Sequence, residues 1–178
     1  MTYGLAKWIA AWLLVVVVMV GLAGVPAAAG EKWGPFRGRL VDVETGLGIA
    51  GGVVLAVWDR AYPGVAGTVT EFHEAREAVS DAAGLFEMPR LDPPFFSLNV
   101  RAPSFTIFAP GYVTVRWVVT PENGEPLVDL TVIEMRMVTT QAELWKKSRT
   151  WPSIVPIERI PAFTRAVSIE RRMLGLTP

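Results

Sequence analysis

From Phe36 to Met137 the apolar residues come in short runs, each closed by glycine, proline or a polar turn within about a dozen residues. A buried helix needs apolar residues at every third or fourth position over at least about ten residues. No stretch shows that period until near the end of the chain. The interior is therefore confined to strands, and some seven short runs at this spacing predict a mainly β fold, a two-layer sandwich.

The runs can be placed one by one. Phe36–Val43 alternates and ends in the turn Glu44-Thr45-Gly46, whose glycine suits a positive φ. Ile49–Trp58 reads as a fully buried strand, with Gly51-Gly52 inside it marking a bulge or a close backbone approach. Asp59–Thr68 carries Pro63, Gly64 and Gly67 and reads as a loop, and Val69–Ser80 as a polar strand. Asp81-Ala82-Ala83-Gly84 turns into the strand Leu85–Met88. Phe95–Ala102 and Phe105–Phe108 are short candidates separated by Pro103, Pro110-Gly111 leads into the strand Tyr112–Val119, and Leu127–Met137 alternates again.

The ends differ in kind. Lys7 precedes the uncharged apolar run Trp8–Val25, followed by Pro26 and three alanines. A basic start, an apolar segment and a small-residue site form a secretory signal over residues 1–29, cut between Ala29 and Gly30. The alternative is an uncleaved anchor, since residues 8–25 just reach the length that spans a core of about 30 Å. After Val138, Thr140 and Glu143 form a capping box that starts a helix running to about Arg149. Pro161 suits the first turn of a second helix, Pro161–Leu174, with Phe163, Ala166, Val167, Ile169, Met173 and Leu174 as its apolar stripe and Gly175 as its stop. Glu31–Val138 holds nine basic and fourteen acidic residues, whereas Thr139–Pro178 holds seven and three. Such a tail, residues 138–178, either packs on the acidic body or lies on a membrane or partner; docking on the body is the expectation for so short a helix.

Candidate chemistry centres on Glu71-Phe72-His73-Glu74-Ala75-Arg76-Glu77, which holds the one histidine of the chain. Zinc proteases need H-E-x-x-H on a helix, and here position 77 is glutamate with no second histidine to follow. In an alternating strand His73 and Glu77 would share a face with Glu71, and Glu74 with Arg76, giving a solvated polar face. A serine nucleophile lacks its G-x-S-x-G elbow, and the absence of cysteine removes thiolate chemistry and disulfides. The balanced charge points away from nucleic acid. No catalytic, metal or cofactor residue is assigned. Asp42 and Asp81 are expected to hold turn backbone, Trp58 and Trp117 to lie in the core, and Trp145 and Trp151 to fasten the tail.

Four ordered pieces carry a resemblance. Arg37-Gly38-Arg39-Leu40-Val41-Asp42-Val43-Glu44-Thr45-Gly46 continuing through Gly48 to Val54, then Ser80-Asp81-Ala82-Ala83-Gly84-Leu85-Phe86, then Phe96-Ser97-Leu98-Asn99-Val100, then Ala109-Pro110-Gly111-Tyr112, resemble the carboxypeptidase regulatory-like domains. Gly48 departs from that family's usual proline and Gly52 from its common alanine. The resemblance covers residues 36–137 and implies a Greek-key, transthyretin-like (prealbumin-like) β-sandwich, with Asp42, Gly46, Asp81, Gly84, Gly111 and Tyr112 as turn residues. It also implies a non-catalytic module. The expected function is an exported, non-enzymatic unit for binding or scaffolding at the cell envelope, in the periplasm or secreted, with an envelope protein or glycan as partner. The expectation from another class is a small envelope hydrolase using carboxylates around Glu71–Asp81. Membrane contact is expected, if anywhere, through the N-terminal segment or the Pro161–Leu174 helix.

Overall fold

A computed structural model describes residues 32–65, 67–93, 98–118, 131–148 and 154–175. The apolar run 8–25, the Ala29–Gly30 site and Trp151 lie outside the described residues, as does the side chain of Trp117. The fold is mainly β, with seven strands in two sheets. The strands are β1 (Phe36–Asp42), β2 (Val53–Gly64), β3 (Gly67–Val79), β4 (Leu85–Met88), β5 (Ser104–Phe108), β6 (Val115–Val118) and β7 (Thr131–Met135). Helix α1 (Gln141–Ser148), a 3-10 turn (Ile157–Arg159) and helix α2 (Pro161–Met173) follow among the described residues. One sheet has the order β4-β1-β7, with β1 and β7 parallel, and the other the order β3-β2-β5-β6.

Alternation builds the core between the sheets. Phe36, Leu40, Phe86, Met88, Ile133 and Met135 from the first sheet meet Val54, Ala56, Trp58, Ala78, Phe105 and Ile107 from the second in one buried cluster. The Phe36 ring stands edge-on to Phe105, 5.0 Å between centres, and 6.1 Å from Trp58. The other face of the second sheet is buried as well. There Val53, Leu55, Val57, Ala75 and Phe108 pack against Val155, Ile160, Phe163, Ala166 and Val167 of the tail.

Several expectations need correction. The strand expected from Ile49 begins at Val53, because Gly51 takes a φ of 71° and closes a turn. The loop expected over Asp59–Thr68 is a ribbon: β2 and β3 continue past the body and pair up to Gly64↔Gly67. Pro63, Gly64 and Gly67 at its tip form the last paired rungs. The strand expected over Phe95–Ala102 has one isolated bridge, Arg60↔Val100, among its described residues. The strand expected to start at Tyr112 begins at Val115, while Tyr112 forms a single bridge to Met137.

Candidate functional site

The acidic strand β3 is where the sequence concentrates titratable groups, and its register decides what they can do. Trp58 pairs with Glu74 but Asp59 pairs with Phe72, so His73 is an extra residue on β3. A bulge of this kind shifts alternation by one position. Phe72, Ala75 and Glu77 consequently share the face that meets the tail, where Phe72 and Ala75 pack in the outer cluster. Strict alternation had grouped Glu71, His73 and Glu77; the bulge breaks that grouping. Burial, with the Arg60 and Lys32 charges adding and Glu74 opposing, holds His73 below its ordinary imidazole range. Among the described residues no three of His, Cys, Asp and Glu come together in a metal-holding group.

Glu77 has a specific task. Its Oε2 accepts the N–H of Ala162 at 2.9 Å and its Oε1 the N–H of Phe163 at 2.6 Å. These amides open α2, and Ile160, the N-cap residue before it, offers no side-chain cap. A carboxylate at this end satisfies two orphan donors and meets the positive end of the helix dipole. Glu74 Oε1 accepts from Arg159 Nη2 at 2.5 Å and from the Ala75 N–H at 3.0 Å. The strand expected to be a solvated face is thus the seat of the chain's own tail.

A second polar contact lies on the same side. Lys147 of α1 is buried, and its Nζ donates to Glu170 of α2 and, at 2.8 Å, to the Ala109 carbonyl. That ammonium stands 4.0 Å from the centre of the Phe108 ring. Glu170 Oε2 also accepts the Gly111 N–H at 3.1 Å, while Oε1 is buried without a hydrogen-bond partner among the described residues. Burial pushes Lys147 below its usual range, and the Glu170 carboxylate opposes that shift. Glu170 occupies the fourth position of the buried face after Phe163, Ala166 and Val167, where the sequence stripe had placed Ile169, Met173 and Leu174. Ile169 and Met173 are exposed instead, 40% and 61%. The signal that was missed is a lone acid seven residues after Phe163, in register with the apolar face.

The turn residues hold their own backbone, and Gly111 alone of them reaches Glu170. Asp42 Oδ1 accepts the N–H groups of Glu44 and Thr45, both at 2.9 Å. The Thr45 amide foremost, with Glu44 and the Tyr112 hydroxyl, holds its carboxyl below the usual range. Burial and the same contact push the Tyr112 hydroxyl up. Gly46 supplies the left-handed residue of that turn, φ 68°, with open space around it. Asp81 Oδ1 accepts from Ala83 and Leu85, and Gly84 follows. A Cβ on Gly84 would stand 2.2 Å from the Leu40 carbonyl oxygen, and one on Gly48 would stand 2.1 Å from that of Ala83. Glycine at position 48 is therefore required by the direct contact of two turns. Gly111 leads to Glu170 and Tyr112 to Asp42, so two adjacent residues join the tail to the first turn. Ser80 was not singled out by sequence; its buried hydroxyl donates to Ile49 O at 2.6 Å and accepts the Gly52 N–H at 2.9 Å.

An open cleft of about 460 Å³ runs along the ribbon, lined by Tyr62, Pro63, Thr68 and Arg101 among others, with no carboxylate in its lining. No described helix is long and apolar enough to cross a membrane. Comparison with protein-family models, with curated proteins and with solved structures finds no match to this chain.

Proposed function

We propose that this chain is an exported, non-enzymatic Greek-key β-sandwich module of the prealbumin-like kind, acting by binding or scaffolding at the cell envelope. The observation that carries the reading is what the carboxylates are engaged in. Glu74 and Glu77 hold the tail, Asp42 and Asp81 hold turn backbone, and Glu170 holds Lys147. Of the carboxylates from Glu71 to Asp81, Glu74, Glu77 and Asp81 are tied into the fold and Glu71 stands exposed, whereas acid–base catalysis needs a carboxylate within reach of a bound substrate. The strand order gives further support: the chain crosses between sheets at every connection except the β2–β3 and β5–β6 hairpins, as a Greek-key sandwich does. The apolar face of α2 is taken up by the second sheet, so membrane attachment in this reading rests on residues 8–25.

The test joins compartment to chemistry. Cell fractionation with N-terminal sequencing is expected to find the chain in the envelope or medium, starting at Gly30. A cytoplasmic chain retaining Met1 refutes export. Hydrolysis of envelope glycan or peptide by the purified chain, lost in Glu74→Ala, Glu77→Ala or Asp81→Ala variants that keep their circular dichroism, refutes the non-enzymatic reading.

A further inference from the structure

Among the described strands β3 is the edge of its sheet, and an unpaired edge is a template for another strand unless something covers it. Near the body it is covered. The Glu74 carboxylate caps the Ala75 N–H, Arg159 holds that carboxylate, and Glu77 lies against α2. On the ribbon, Gly67, Thr68, Val69, Thr70 and Glu71 are all exposed, and no described strand lies on the side of them away from β2.

The Ala61 N–H donates to the Asn99 carbonyl, away from β3, so Ala61↔Thr70 is an open pair and Tyr62↔Val69 beside it a hydrogen-bonded one. The amide and carbonyl of Val69 thus point into the sheet, and those of Thr68 and Thr70 point outward. The residues about Val69 are self-complementary. A two-fold axis through Val69 sets Thr68 against Thr70, Val69 against Val69, and Gly67 against Glu71, so no like charges meet. Four backbone hydrogen bonds from the threonines would frame one close valine pair. Each strand then runs on past the other's hairpin tip, which leaves the two bodies at opposite ends. The formal net charge of +0 adds no long-range repulsion between copies.

We propose that the β2–β3 ribbon is a self-association edge, on which a second copy of this chain pairs antiparallel about Val69. The proposal stands apart from export and from the non-enzymatic reading.

The chain has no cysteine, so single cysteines report the register. In the full-length chain under mild oxidation, Val69→Cys is expected to form a disulfide dimer at least tenfold faster than Thr68→Cys. The Val69 Cα atoms would lie about 4.5 Å apart, whereas the two Thr68 positions sit on a diagonal of about 7–8 Å, beyond easy bridging. A mixture of Thr68→Cys and Thr70→Cys chains is expected to cross-link to the heterodimer. Adding Thr70→Pro to Val69→Cys removes an outward amide and no bond inside the sheet, and should cut the dimer at least tenfold with the melting temperature unchanged. Equal rates for Val69→Cys and Thr68→Cys overturn the proposal. So does a lack of cross-linking in both Val69→Cys and the mixed pair, or capture of an added extended peptide by an edge that never pairs with itself.

Discussion

The two faces of the second sheet are both buried, but by different means. On the inner face the partner is another sheet, and an apolar cluster runs from Phe36 and Leu40 to Trp58 and Ile107. On the outer face the partner is the tail, and apolar packing around Phe163 is framed by ion pairs and a carboxylate cap. A sheet meets a sheet along many alternating positions, which fixes their register. A helix of thirteen residues offers one narrow stripe. Its orientation needs directional contacts at both ends: Glu77 on the first turn, Lys147 on the last.

The largest effects should come from cutting each face at its centre. Trp58→Ala on the inner face and Phe163→Ala on the outer, both fully buried, should each cost about 3–5 kcal/mol. Urea unfolding followed by circular dichroism should show one transition shifted in both variants. A separate early loss of helix in Phe163→Ala would demote the outer layer to an appendage.

Next is the buried pair. Glu170→Ala leaves Lys147 charged in an apolar setting, for an expected loss of about 3–5 kcal/mol. The double variant Lys147→Met/Glu170→Leu should recover most of that loss, because no buried charge remains. Equal losses in the single and double variants would mean that Gly111 N–H, and not Lys147, is what Glu170 serves.

Glu77→Gln should cost about 1 kcal/mol, the scale of one helix cap with a dipole contribution. Arg159→Ala, whose pair with Glu74 is half open to solvent, should cost well under about 1 kcal/mol. A larger loss from Arg159 than from Glu77 would reverse the order of the two clasps.

The smallest effect is confined to acid. Asp42 titrates below its ordinary value of 3.8 in the folded chain. In that window the unfolded chain binds more protons, so stability falls as pH drops through the folded value and is fully present above the ordinary one. Urea midpoints from about pH 5 to about pH 2.5 should fall less steeply in Asp42→Asn than in the parent. Identical slopes would remove Asp42 from the acid limb.

What the sequence by itself determined is local. The runs Phe36–Asp42, Leu85–Met88 and Phe105–Phe108, the turns at Gly46 and Gly84, the Thr140 cap and Pro161 at the head of α2 are set by neighbours within a few residues. Backbone geometry and turn chemistry act at that range, so they could be read directly. Only the tertiary structure decided that residues 59–68 form a ribbon, since strand pairing there depends on the bulge at His73 and on the opposite strand. It alone decided that Glu170 and not Ile169 faces inward. It also turned Glu77 from a solvent-facing acid into a helix cap, through partners 85 and 86 residues away. A carboxylate looks the same in sequence whether it meets water, a lysine or a helix end; which of these lies beside it is fixed by packing at long range.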